Sequence, residues 1–140
     1  MPETPAPPQS PPAMSRDFAF FFEGLKQRQL LAQRCDACDA LRHPPQPMCP
    51  KCNSFDWTAQ PLSGAGRVYS YTVHYYPPIP PHTAPHPMVL VDMDEGVRVF
   101  AAFEGGEAGE LRIGLPVRAS FAEVGPDFVL HRFEPDRSRS

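Results

Sequence analysis

The sequence predicts a mainly β protein: one N-terminal helix, a short metal-binding segment, and a five-stranded barrel behind it. Three observations carry that reading. All four cysteines fall between Cys35 and Cys52, as two Cys-x-x-Cys pairs. Ahead of them, Asp17–Gln29 has the apolar spacing of a helix. From Arg67 onward the apolar period changes to two, the period of strands.

The elements follow in order. Six of the first thirteen residues are proline, so residues 1–14 are expected to form a disordered or polyproline-like tail. In the helix, placed within 15–30, Phe18, Phe21, Phe22 and Leu25 fall at i, i+3, i+4 and i+7. Ser15 or Asp17 is the expected cap. Two readings of those four side chains stay open: a helix docked on its own domain, or one offered to a partner. Leu30–Arg34 and Trp57–Leu62 read as short strands on either side of the cysteines, within a segment spanning 31–62. Gly64 and Gly66 in SGAG mark the turn into the second half.

Residues 63–134 carry the barrel. In RVYSYTVHY the alternation places Tyr69, Tyr71, Val73 and Tyr75 on one face. MVLVDMD, VRVFAAF, PVRASF and FVLHRF supply four further strands, and Asp94-Glu95-Gly96 has the composition of a tight hairpin turn. Five short strands of this kind suit the oligonucleotide/oligosaccharide-binding (OB) barrel. PPIPPHTAPHP (Pro77–Pro87) joins the first two strands; it reads either as a rigid surface loop or as a wall of a binding cleft. FEGGEAGEL (Phe103–Leu111) lacks the Lys-Ser/Thr of a phosphate loop and reads as a strand connection. PDRSRS at 135–140 is expected to fray.

Cys35, Cys38, Cys49 and Cys52 make the closed thiolate set that a structural zinc ion prefers. Each Cys-x-x-Cys turn needs a residue of positive φ just after its second cysteine. Asp39 and Asn53 stand there, among the better choices after glycine. The same S₄ cage also suits iron. Four cysteine ligands leave no open position for a reacting water, and a doubled pair outside a βαβ setting does not read as a redox motif. His43, inside the intervening loop ALRHPPQPM, has no ligand position to fill and reads as a surface or supporting residue. His74, His82 and His86 follow no recognised metal spacing.

Charge narrows the function classes. Residues 66–134 hold nine Asp/Glu against five Arg, so the barrel lacks the basic stripe on which nucleic-acid affinity rests. Tyr69, Tyr71 and Tyr75 therefore read as core and interface rather than as a base-stacking platform. No apolar run approaches the roughly 20 residues that span a bilayer. The N-terminus has neither the basic nor the apolar region of a secretory signal, so a cytoplasmic location is expected. No G-x-S-x-G, Cys–His nucleophile or convincing carboxylate pair is present.

The whole series resembles the DUF35 family. The residues that carry the likeness are LLAQRCDACDALRHPPQPMCPKC, SGAGRVYSYTVHY, VLVDMDEGVRVFAAF, LRIGLPVRASF and FVLHRFEP. The resemblance implies a rubredoxin-like zinc ribbon joined to an OB-fold, over about residues 16–134. It also implies a role in acyl-coenzyme A metabolism, as an accessory subunit or appended domain of thiolase-fold enzymes or related hydratases and aldolases. In such a hetero-oligomer the catalytic residues belong to the partner. On that implication Arg34, Arg42 and Lys51 are the nearest cations for CoA phosphates, and Phe18, Phe21, Phe22 and Leu25 are the partner-facing set. Two positions depart from the family's habit: Asp39 replaces a glycine, and Gln46 stands where a basic residue is common.

Three functions are thus weighed. The first is a non-catalytic accessory subunit that scaffolds its partner and helps bind the acyl-CoA thioester. The second is a free-standing zinc ribbon/OB protein that binds single-stranded nucleic acid. The third is an acyl-CoA aldolase or acyltransferase acting alone. The first accounts for the most residues.

Overall fold

A computed structural model describes residues 17–75, 86–106, 108–125 and 128–139. The proline-rich start, Ser15, His82 and most of the Pro77–Pro87 loop lie outside the described residues. The elements are α1 (Ala19–Lys26), β1 (Leu31–Cys35), β2 (Leu41–Arg42), β3 (Trp57–Pro61), β4 (Ala65–His74), β5 (His86–Met93), β6 (Arg98–Phe103), a 3₁₀ turn (Ala108–Glu110), β7 (Pro116–Gly125) and β8 (Phe128–Pro135).

The first three strands form an antiparallel sheet in the order β2-β1-β3. The other five close into a barrel in the order β4-β5-β6-β8-β7, with β4 paired back to β7 and β6 running parallel to β8. This is the expected mainly β chain with a five-stranded OB barrel. Inside the barrel, Val68, Val89, Val91, Val99, Ala101, Val117 and Phe133 are buried. Gly66 is required where β4 crosses β5, because a Cβ there would come within 2.5 Å of the Asp92 carbonyl oxygen.

Helix α1 is shorter than its periodicity suggests. Phe18 is the N-cap and no side chain caps it, so Asp17 does not take that role. The C-terminus stops at a Schellman motif. Arg28 adopts φ 61°, the Gln29 N–H donates to the Gly24 carbonyl (2.9 Å), and the Arg28 N–H donates to that of Leu25 (3.0 Å). The following turn brings β1 back onto the helix so closely that a Cβ on Gly24 would lie 2.6 Å from Leu31 Cδ1.

The helix is the joint between the two sheets. Phe21, Phe22 and Leu25 are buried in a core that runs without a break from Leu30 and Ala32 of the small sheet into the barrel interior. Phe20 lies against Trp57 of β3, ring centroids 4.6 Å apart, while Phe21 meets His131 of β8 at 5.3 Å. The docked reading of the helix is the one this structure shows. Phe21, Phe22 and Leu25 are occupied by the chain's own core and present no surface to a partner in this conformation; Phe18 packs at its edge.

Three further expectations change. A bulge between Val68 and Ser70 interrupts the alternation of β4. It sets Tyr71 in register with Val89 and leaves Tyr69 under the Arg98 guanidinium, 3.6 Å from its ring centroid, and Tyr69, Tyr71 and Tyr75 are all exposed rather than core. Part of the glycine-rich connection forms the 3₁₀ turn at Ala108–Glu110. The C-terminal residues Asp136–Arg139 lie along the barrel. The Asp136 N–H donates to the Pro116 carbonyl at 3.0 Å, and Arg137 holds both carboxylate oxygens of Glu110 at 2.7 and 3.1 Å.

Candidate metal centre and the loop it holds

Each cysteine pair closes a tight turn of the same design. The Asp39 N–H donates to the Cys35 carbonyl and the Asn53 N–H to that of Cys49, both at 2.9 Å. Asp39 and Asn53 have φ of 62° and 64°, the left-handed conformation expected at these two positions. The Cys35 and Cys49 N–H groups then donate across each turn to the Ala40 and Ser54 carbonyls.

The turns face each other. Cys35 Sγ lies 3.4 Å from Cys52 Sγ, Cys38 Sγ lies 3.7 Å from Cys49 Sγ, and all four sulfurs fall within 4.8 Å of one another. A tetrahedron of Zn–S bonds of about 2.3 Å needs sulfurs about 3.8 Å apart, so the donor set fits. Cys35 and Cys49 are buried; Cys38 and Cys52 face solvent.

The turns also prepare the sulfurs for a cation. The Cys52 and Lys51 N–H groups aimed at Cys49 hold its thiol down to about 6. The Cys38 and Ala37 N–H groups lower Cys35, against the effect of burial. The Ser54 N–H acts the same way on Cys52. The Cys35 sulfur, burial and the other two sulfurs outweigh it and push that thiol up to about 12. Four crowded thiols resist the loss of the last proton, and a divalent ion removes that resistance by supplying the opposite charge. Bound there, the ion is a staple, since four protein ligands complete its coordination.

Between the pairs, the loop is held at several points. Gln33 and Arg42 are register partners on β1 and β2 and share one face. Gln33 is 1% exposed and Arg42 is 7% exposed. The Gln33 Oε1 accepts the Gln46 backbone N–H at 2.8 Å, and Arg42 Nη2 donates to the Gln46 carbonyl at 3.0 Å. One residue of the loop thus has both backbone polar groups fixed by buried side chains, while its own side chain is exposed. Arg42 Nε and Nη1 are buried with no hydrogen-bond partner among the described residues.

His43 anchors the other end of the loop. Its ring lies 5.1 Å from that of Phe21, which also meets His131 at 5.3 Å. It is a half-buried packing residue at the joint. Burial, then the proximity of His131, pushes its pKa down to about 4. Burial does the same to His131, down to about 4, against the contribution of the Phe100 carbonyl 3.0 Å from its Nε2.

The four cysteines meet as their spacing requires. Two of the three candidate CoA cations, Arg34 and Arg42, point away from each other. Arg34 pairs in register with Leu41, one residue out of phase with Arg42, so the two arginines leave the sheet on opposite faces. Arg42 is buried, and Lys51 is exposed beside Cys52. Sequence reasoning missed Gln33 and β2. The only available signal was a glutamine on a strand bordered by buried apolar residues, which has no chemistry of its own until Gln46 is placed opposite it.

Comparison with known proteins agrees with this division. Residues 22–58 match the ChsH2 rubredoxin-like zinc ribbon domain, and residues 59–122 match the ChsH2 C-terminal OB-fold domain. A solved chain described as Ltp2-ChsH2(DUF35) aldolase superposes with a TM-score of 0.85 at 45% identity, covering 89% of this chain and 98% of that one. The "Probable enoyl-CoA hydratase alpha subunit" of Thermomonospora curvata is 45% identical over 89% of this chain, which spans 39% of that relative's length. The benzoylsuccinyl-CoA thiolase subunit BbsA of Thauera aromatica is 29% identical over 70% of this chain and 72% of its own. A DUF35 domain-containing scaffold protein of Pyrococcus furiosus is 31% identical, over 89% of this chain and 94% of its own length. With both family models matched and a DUF35 domain-containing relative 31% identical over 94% of its own length, the chain belongs to the DUF35 family.

Proposed function

We propose that this chain is a non-catalytic component of an acyl-CoA enzyme assembly. In this reading zinc staples the ribbon, the barrel is the scaffold, and the ribbon loop meets a thiolase-, aldolase- or hydratase-type partner near the CoA thioester. The observation that carries the reading is the likeness, along nearly its whole length, to the ChsH2(DUF35) chain of an aldolase. The relatives named as hydratase and thiolase subunits support the same class of chemistry. A closed metal site is consistent with a structural role for the ion.

The test is purification of the tagged chain from its native host under gentle conditions, with mass spectrometry of what accompanies it. A stoichiometric acyl-CoA enzyme of the thiolase, aldolase or hydratase type is expected. Recovery of the chain alone, or with nucleic acid, contradicts the proposal. For CoA itself we propose that Lys51, the exposed cation next to Cys52, makes the phosphate contact, with Arg34 on β1 and Arg42 acting through the loop. Lys51→Glu is expected to lower the CoA affinity of the complex several-fold, the scale of one charge-assisted contact. Unchanged affinity removes Lys51 from that role.

A further inference from the structure

Gln33 and Arg42 form the least expected cluster in the molecule. Small ribbons have little core, and buried polar groups in them normally complete the sheet or support the metal. These two side chains do neither. They converge on the backbone of Gln46, one accepting its N–H at 2.8 Å and the other donating to its carbonyl at 3.0 Å.

The arrangement is costly. Desolvating a guanidinium is unfavourable unless it is paired and hydrogen-bonded. Among the described residues, Arg42 has no carboxylate in a salt bridge with it, and two of its nitrogens are buried with no hydrogen-bond partner. A chain selected for stability alone would do better with apolar side chains here. What the cluster does achieve is a fixed loop. His43 is packed on Phe21, Gln46 is bonded on both sides, and Cys49 belongs to the metal site. Between these anchors Pro44 and Pro47 further restrict the backbone. The segment leaves exposed Pro44, the Gln46 side chain, Pro47 and Met48, a surface without formal charge.

We infer that Gln33 and Arg42 are positioning residues: they pre-organise the Pro44–Met48 loop as the rigid element that seats on the partner enzyme. The inference rests on the proposed function, which places the ribbon loop at the partner, and goes beyond it by naming the buried pair that sets the loop's shape. Pre-organisation raises affinity by removing the ordering cost of the loop at the moment of binding, about 0.5–1.5 kcal/mol for each immobilised side chain and more where backbone is ordered. Buried polar pairs used for specificity rather than stability have precedents in other folds.

Three variants test it, each assayed as the full metal-loaded chain against the acyl-CoA enzyme obtained by co-purification. Gln33→Leu removes the acceptor. The Gln46 amide is expected to exchange with solvent at least tenfold faster, and the affinity for the enzyme to fall by about tenfold, with metal still bound at one ion per chain. Gln33→Glu keeps an acceptor at the same place and offers Arg42 a counter-charge, so both readouts should return toward wild type. A glutamine that served stability alone would change the denaturant midpoint of the folded, metal-loaded chain and leave its affinity for the enzyme unchanged. If Gln33→Leu does not fold, Gln46→Pro removes the same hydrogen bond from the loop side and takes its place.

Loss of amide protection with no loss of affinity overturns the inference and leaves the proposed function intact. Failure of the wild-type chain to bind any acyl-CoA enzyme overturns the proposed function, and the inference with it.

Discussion

The ribbon and the barrel solve the same problem by different means. The barrel closes five strands around valines and Phe133, every edge is paired, and its order follows from apolar burial. The ribbon, from Leu31 to Pro61, has two strands of five residues and one of two. Its own buried apolar side chains are few. Its order rests on four sulfurs, two left-handed turns and the Gln33–Arg42 pair. Helix α1 links the two, with Phe20 on Trp57 and Phe21 on His131. The contrast teaches where each kind of change is tolerated. A barrel ordered around its own valines and Phe133 can carry a ribbon whose order rests on other contacts.

Removing the metal should divide the molecule most sharply. Structural zinc contributes about 10–16 kcal/mol in isolated finger peptides, more than a small ribbon could otherwise muster. Chelation is expected to abolish amide protection at Cys35, Asp39, Cys49 and Asn53, while Val89, Val91 and Phe133 stay protected in residue-resolved hydrogen exchange. If the barrel amides are lost in the same step, the two regions are one cooperative unit and the contrast fails.

The converse change is in the barrel. Phe133 is fully buried in the barrel core. Phe133→Ala is expected to cost about 3–5 kcal/mol, read as a lowered denaturant midpoint. The metal-site amides should be released only in the global transition. A variant that loses its metal before its barrel signal would place Phe133 in support of the ribbon instead.

Acid should act at the joint. Unfolded histidines take up a proton below about pH 6.5, whereas His43 and His131 do so only near 4 in the folded chain. Between those values the unfolded state binds more protons. Stability is therefore complete above about pH 6.5 and declines as pH falls toward 4. Cysteine protonation also releases metal in acid, so the informative quantity is the difference between variants. His43→Phe, which keeps a ring on Phe21, should flatten the slope in urea titrations between pH 6.5 and 5. An unchanged slope would mean that His43 is not held neutral by its packing.

Much of this architecture was legible in the sequence because it depends on local rules. Two Cys-x-x-Cys turns predict both the metal site and the positive φ at Asp39 and Asn53. A period of two predicts the barrel strands. What was not legible depends on contacts between distant residues. The bulge at Tyr69 is a property of strand pairing, so the alternation of RVYSYTVHY gave no sign of it. The helix aromatics read equally well as core or interface until His131 and Trp57 are placed against them. Arg34 and Arg42 count, with Lys51, as the nearest cations for CoA phosphates by sequence position alone. A strand of two residues, too short to leave a periodic signal, puts the two arginines on opposite faces. Gln33 was invisible for the same reason, since its function lies wholly in where Gln46 lands.

The most direct test of the account is to titrate the co-purified acyl-CoA enzyme with the metal-loaded chain and with the metal-stripped chain, checking in each that the barrel amides remain protected. The account predicts that stripping weakens association at least a hundredfold while the barrel stays folded, because the ribbon loop is the seated element and the metal holds it. Equal affinity of the two forms would contradict it and move the docking surface to the barrel.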